Sequence, residues 1–326
     1  MKTIYKFYIA ISPVVILGVM NQVLSVHSID YKHYFLFRLM PNIIAIICAG
    51  VLFYLIYNTF WDKSNTRFYL KSSQDIIYSA LIFLCLLPYH TQPIIVFGCF
   101  FLGNIISTAK IKYHHYLFYL NGALASRVIL FLVHIPLIHY SIYQNDYNAI
   151  TSATPLLHHA INYDLGISDK LMSIEQLFIG NWQGSIGETS KLGLIASLIL
   201  LYLFKLIRFS SIIMGIIGSF LAYCLFYQSM GLAFSDFIQF IMMGGLIFGL
   251  VFMTTDLCTA TYTRKQHRYY VLLIGFLCIT YRAFLPFPEG MLLAIISSQL
   301  LFIVIVIMSN HLEWISKSLQ VSRWNK

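Results

Sequence analysis

Apolar runs of about 20 residues recur along nearly the whole chain, separated mostly by short polar connections. A run of that length crosses the hydrocarbon core of a bilayer as a helix, and the absence of water there obliges the backbone to satisfy itself. The pattern predicts an all-α polytopic membrane protein. Charged residues are only 10% of the chain, well below the roughly 25% of a soluble domain. Ten spans can be drawn, near 8–26, 36–59, 74–89, 92–109, 117–141, 190–207, 209–229, 232–254, 269–286 and 289–310. The third is short, as a tilted or interrupted span would be. Lys2 and Lys6 precede an apolar run with no small-residue cleavage site after it, which reads as a first membrane helix rather than a removed leader.

The net charge of +9 does not point to nucleic acid, because the basic residues sit in connections between spans. Their placement is a topology signal. One side collects Lys2 and Lys6, then Lys63, Arg67 and Lys71, Lys110 and Lys112, Lys205 and Arg208, Arg264, Lys265 and Arg268, and the tail with Lys317, Arg323 and Lys326. Excess Lys and Arg mark the cytoplasmic face, so both termini are expected there and the 143–190 loop outside. That loop is net acidic, with Asp146, Asp164, Asp169, Glu175 and Glu188 against Lys170 and Lys191. Five spans on each side of the loop would put the two halves in opposite orientations, the arrangement of inverted-repeat membrane folds. The expected organisation is a first membrane half at 1–142, an extracytoplasmic loop at 143–189, and a second half with a short tail at 190–326. The six cysteines, Cys48, Cys85, Cys99, Cys224, Cys258 and Cys278, lie in or at the ends of apolar segments without a CxxC pair. They read as inert buried thiols, and no metal site is expected.

Four strings could carry chemistry. Gly184-Ser-Ile-Gly-Glu-Thr-Ser190 has the S-x-x-E spacing of a capping box in Ser185 and Glu188. Its glycines and hydroxyls also suit an anion at a helix start. Thr151-Ser-Ala-Thr-Pro-Leu156 has hydroxyls that cap, turn or accept a modification, and no acid–base pair of hydrolytic spacing. Phe252-Met-Thr-Thr-Asp-Leu-Cys-Thr-Ala-Thr-Tyr-Thr-Arg264 puts Asp256 at the cytoplasmic end of a span, where a carboxylate is either functional or simply solvated. In Tyr281-Arg-Ala-Phe-Leu-Pro-Phe-Pro-Glu289, Arg282 and Glu289 could pair on the outer face across a proline turn.

Together and in this order, the strings resemble the NqrB/RnfD family, the flavin-bearing membrane subunits of the sodium-pumping quinone reductase and of the Rnf ferredoxin:NAD electron-transport complexes. GSIGETS is the most specific match. FMTTDLCTATYTRK is similar to the family's FMATDPVT segment, PEGMLLAII to its PEG helix start, and TSATPL to its S-[GS]-A-T-x-L flavinylation site. The likeness is good from about 70 to 310, and the length resembles that of the RnfD branch. The chain departs from the pattern at YLFYLNGALAS (Tyr116 to Ser126), which replaces an N-P-F-N-P-A-M-like segment, at Leu257 in place of proline, and around Gln266-His267, where a glycine is missing.

The resemblance implies FMN joined to Thr154 by a phosphoester, with Ser152, Ala153 and Leu156 in the recognition site of a flavin transferase. Gly184, Ser185, Gly187, Glu188 and Thr189 would then help to bind the cofactor, with Trp182, Phe178 and Tyr163 able to stack on its ring. Asn121, Asp256 and Glu289 would belong to an ion path or to the scaffold. A second, non-covalent flavin stays open. The function implied is an inner-membrane electron relay between redox subunits of an Rnf-type, ion-translocating complex. Two other classes fit the residues: a transporter or channel on the same scaffold without flavin, with Asn121, Asp256 and Glu289 lining a permeation path, and a flavin relay for a non-Rnf partner.

Overall fold

The computed structural model describes residues 2–24, 29–60, 73–88, 91–113, 116–143, 174–180, 184–227, 234–254, 263–285, 290–305 and 308. Two long helices lead, α1 (Lys2–Leu24) and α2 (Ile29–Phe60). Pro13 lies inside α1, where it withholds the N–H that the Ile9 carbonyl four residues earlier would receive. The Ser12 hydroxyl supplies the missing donor, giving Ile9 O a hydrogen bond of 2.8 Å. The helix therefore runs on through its proline.

Two 14-residue helices follow, α3 (Ser73–Leu86) and α4 (Pro93–Ile106). At about 1.5 Å per residue each is near 20 Å long, short of the ~30 Å hydrocarbon core. The turn between them is held by Asn42 of α2, whose Nδ2 donates to Thr91 O at 3.2 Å. After α4 comes a two-stranded antiparallel hairpin, β1 (Lys110–Tyr113) with β2 (Tyr116–Tyr119), in the register Lys110↔Tyr119 to Tyr113↔Tyr116. The hairpin interrupts a chain whose other described elements are helices, as expected. β-branched and aromatic residues in KIKY and YLFY favour a strand, and residues 117–121, drawn above as the start of a span, belong instead to β2 and the turn into α5 (Gly122–Tyr143).

Then come α6 (Ile174–Ile179) and α7 (Ile186–Thr189), both inside the stretch expected as loop, and the second half opens with α8 (Lys191–Leu203) and α9 (Phe209–Phe226). Next, α10 (Phe234–Met242) and α11 (Leu246–Phe248) are separated by Met243, Gly244 and Gly245. The chain bends there by 64°, with Gly244 at a positive φ of 66° that glycine tolerates freely. A π-helical turn, Gly249–Met253, continues α11. The long α12 (Arg264–Phe284) and α13 (Gly290–Ile305) follow.

The pair α9–α12 forms the most extensive helix interface. Small residues permit it: a Cβ on Gly275 would lie within the radius of Gly215 O, and one on Gly218 would strike Leu272 O. Close backbone approach of this kind is how helices associate where no hydrophobic drive operates between them. Elsewhere α1 packs on α7 and α8, α4 on α2 and α5, and α3 on α5 and α7. Phe83, Phe100, Phe248, Phe252 and Tyr270 are fully enclosed between them.

The outside is as apolar as the inside. On α2, Met40, Ile44, Ile47, Val51 and Leu55 are exposed, as are Ile213, Ile217, Leu221 and Leu225 on α9. Faces this large and continuous need a non-aqueous surround. Among the described residues, three helices are long and apolar enough to cross a membrane, within Tyr5–Val23, Leu39–Thr59 and Phe209–Phe226, and the pair Asp236–Met242 and Leu246–Met253, bent by 64°, is a broken span or a re-entrant loop. Asp75–Leu86, Pro93–Ile106, Gly122–Val133, Lys191–Leu203 and Gly290–Ile305 are apolar but shorter. Cys85, Cys99 and Cys278 are buried as expected, whereas Cys48 is exposed, on the outward face of α2.

Candidate functional site at a helix break

The GSIGETS string is buried between α1, α3 and the break in the second half. Gly184 O accepts from Gln22 Nε2 of α1 at 2.9 Å. Ser185 precedes α7, but its side chain makes no cap bond, so the capping box expected from Ser185 and Glu188 is not formed. Ser190 does the capping instead, its Oγ accepting from Gly193 N at 3.0 Å to start α8. Ser185 Oγ is left buried without a hydrogen-bond partner. Gly187 has a steric reason to be glycine: a Cβ there would meet Phe248 Cε2 at 2.7 Å and Cys85 Cβ at 3.0 Å. Thr189 Oγ1 donates back to Ile186 O at 3.3 Å.

Glu188 reaches away from this packing toward the α10–α11 break. A Cβ on Gly245 would lie 2.7 Å from Glu188 Oε1, so the carboxylate sits directly on the break. Arg282 of α12 also reaches this break. Its Nη1 donates to Phe240 O at 2.8 Å and its Nη2 to Met243 O at 3.1 Å. Phe240 O is a last-turn carbonyl of α10 and Met243 O the first beyond it, where an ended helix lacks donors and its dipole is negative. The guanidinium also lies 5.3 Å from the centre of the Phe240 ring.

Arg127 of α5, only 5% exposed, completes the group. With Glu188, Gly245 and Arg282 it lines a cavity of about 20 Å³, closed by Leu86, Met253, Met291 and Leu292. That volume holds a water-sized group. Lys191, 4% exposed, donates from Nζ to Glu188 O and interacts electrostatically with Glu188 and Arg282. Four ionisable side chains from four segments thus meet in an apolar bundle, where such residues are costly and mark function.

Of the residues expected from sequence, Glu188 lies in this group and Gly184, Ser185, Gly187 and Thr189 in the segment that carries it. Asn121 is a scaffold residue here: its Oδ1 accepts from Ala123 N at 3.0 Å, starting α5, and from Ser79 Oγ of α3 at 3.2 Å. Phe178, on α6, is half-buried against the core. Thr154, Ser152, Ala153, Leu156, Tyr163, Trp182, Asp256 and Glu289 lie outside the described residues.

Sequence reasoning passes over Arg127 and Lys191, though a lone arginine within an apolar span is itself a signal. It also passes over His267. This ring is buried at the start of α12, with Nδ1 2.7 Å from Ser211 Oγ of α9 and Nε2 3.0 Å from Thr254 O at the end of the π-helical turn. The adjoining Thr263 and Gln266 form the true capping box, through Thr263 N to Gln266 Oε1 at 2.9 Å and Gln266 N to Thr263 Oγ1 at 3.3 Å. The Gln266-His267 segment that departs from the family pattern thus starts α12 in this chain. Replacing His267 with alanine is expected to cost ~1–3 kcal/mol, the penalty for stranding a buried carbonyl and hydroxyl, measured by thermal unfolding in detergent. His267→Gln is expected to recover part of it.

Broken helix, buried charges and apolar exterior define a multi-pass helical membrane protein with a polar centre. The chain belongs to the NQR2, RnfD, RnfE family, whose model matches residues 1–308. Among curated relatives, it is 31% identical over 208 residues to the Na(+)-translocating NADH-quinone reductase B subunit of Klebsiella pneumoniae (strain 342), covering 59% of this chain and 50% of that protein. The corresponding protein of Yersinia pestis is 29% identical over 205 residues, covering 59% and 49%. That of Neisseria meningitidis is 29% identical over 192 residues, covering 56% and 47%. The chain spans about half the length of these curated relatives.

Proposed function

We propose that this chain is a membrane subunit of an Rnf- or Nqr-type ion-translocating electron-transport complex, carrying FMN on Thr154 and relaying electrons between redox subunits. The observation that carries the reading is the family match over residues 1–308 in a chain that also holds the TSATPL string. Relatives named as parts of a sodium-translocating quinone reductase support it.

In this reading the Thr154 hydroxyl holds the FMN phosphate, and Ser152, Ala153 and Leu156 present it to a flavin transferase during maturation. Bound there, FMN supplies one- and two-electron chemistry, and the protein supplies position and electrostatics. The cavity at Glu188 is too small for an isoalloxazine ring, so the ring belongs on the loop side of the GSIGETS segment. Ser185 Oγ, buried and unpartnered, is the hydroxyl of that segment free to accept or donate a bond to an added group. Phe178, with Trp182 and Tyr163, offers stacking surface.

The topology belongs to the same proposal. Ten crossings in two inverted five-helix halves, 1–142 and 190–326, put both termini in the cytoplasm of a bacterial inner membrane and the 143–189 loop outside, with its 184–189 end packed into the bundle. Partners are the other membrane and redox subunits. The test is in-gel flavin fluorescence of the denatured chain, coexpressed with its transferase. Thr154→Ala is expected to lose the signal to background while the protein still inserts; fluorescence that survives the substitution would reject the attachment site.

A further inference from the structure

We propose that the α10–α11 break is a cation-coordinating cradle that this chain fills with its own guanidinium, so that Arg282 closes the centre of the bundle to free monovalent cations. The oxygens are in place. Phe240 O comes from the last turn of α10 and Met243 O from the residue after it, and the Glu188 carboxylate lies against Gly245, two residues further along the same break. Carbonyls of an unwound or ended half-helix are what broken membrane helices use to hold sodium. Here the two carbonyls are taken by Nη1 and Nη2 of Arg282 at 2.8 and 3.1 Å.

The neighbouring charges act in the same sense. Arg127 lines the same small cavity, and Lys191 holds the Glu188 backbone carbonyl. Three cationic side chains surround one carboxylate among the described residues, and a free cation entering this apolar setting meets their field at short range. A fixed arginine at a constriction is an established way to refuse cations. Gly245 is part of the fit, since a Cβ there would lie 2.7 Å from Glu188 Oε1 and push the carboxylate aside. The inference rests on the preceding section only for naming sodium as the cation that matters.

The test uses the full chain in nanodiscs, with melting temperature compared between sodium chloride and choline chloride at equal ionic strength. Wild type is expected to melt at the same temperature in both. Arg282→Gln, which removes the charge and frees the carbonyls, is expected to gain a sodium-dependent rise of about 2–4 °C at tenfold excess over its dissociation constant. Adding Glu188→Gln should cancel that rise. A folded Arg282→Gln protein without a sodium response would overturn the proposal. If that variant does not fold, crystals of wild type soaked in a thallium salt decide: anomalous density between Phe240, Met243 and Glu188 sinks the idea, and none there supports it. Neither readout depends on flavin, so a failure at Thr154 leaves this result standing.

Discussion

Protein carrying Gly275→Ala is expected to unfold with a loss of about 3 kcal/mol or more, at the upper end of what overpacking costs. The added methyl would lie within the radius of Gly215 O and 2.9 Å from Ser219 Oγ. Ser219 Oγ is itself engaged, donating to Gly215 O at 3.0 Å and lying 3.2 Å from Gly275 O. The two nearest atoms are backbone of Gly215, so moving the Ser219 side chain alone gives no relief and α9 and α12 must separate. Gly98→Ala is the control. It also lies inside a helix, with nothing within 4 Å of a built Cβ, and is expected to be neutral or to gain roughly 0.5–1 kcal/mol from helix propensity. Thermal unfolding of both in one detergent separates packing from propensity. Equal melting temperatures would refute the tight backbone contact.

Gly187→Val is the second large effect. Its side chain would enter the space of the Phe248 ring and of Cys85, both fully buried. The expected loss is ~2–3 kcal/mol, and it should be the same in flavin-free protein as in protein matured with its transferase. Gly184→Ala, by contrast, meets only Thr189 Cγ2 at 3.3 Å and should cost under ~1 kcal/mol. If Gly187→Val lost stability only when flavin was attached, this glycine would be serving the cofactor and not the packing.

These two glycines show what can be read in advance. Apolar runs locate the helices well, because a 20-residue run has few alternatives. The polar GSIGETS string stands out as special, yet its spacing suggests a cap while its packing makes it an inward-facing support for Glu188. Spacing along a chain carries no information on which ring lies opposite a glycine. Arg282 is visible as a charge near a proline turn, and an outer-face partner is the natural reading. Its contacts with α10 depend on the Gly244-Gly245 break, and a glycine pair inside an apolar run does not announce an interruption. KIKY and YLFY fail for a simpler reason: a short alternating strand is easily absorbed into a neighbouring helical run.

The contact between Gly275 and Gly215 has a mechanical consequence. Two helices whose backbones touch have no slack for sliding or tilting, since sliding would drive a carbonyl into the opposing chain. α9 and α12 therefore behave as one stiff strut, and Arg282 rides on it. Any rearrangement of the second half must bend at Met243–Gly245 or unseat Arg282 from α10. A spin-label pair across α9 and α12 should keep a single narrow distance distribution while one across α10 and α11 broadens.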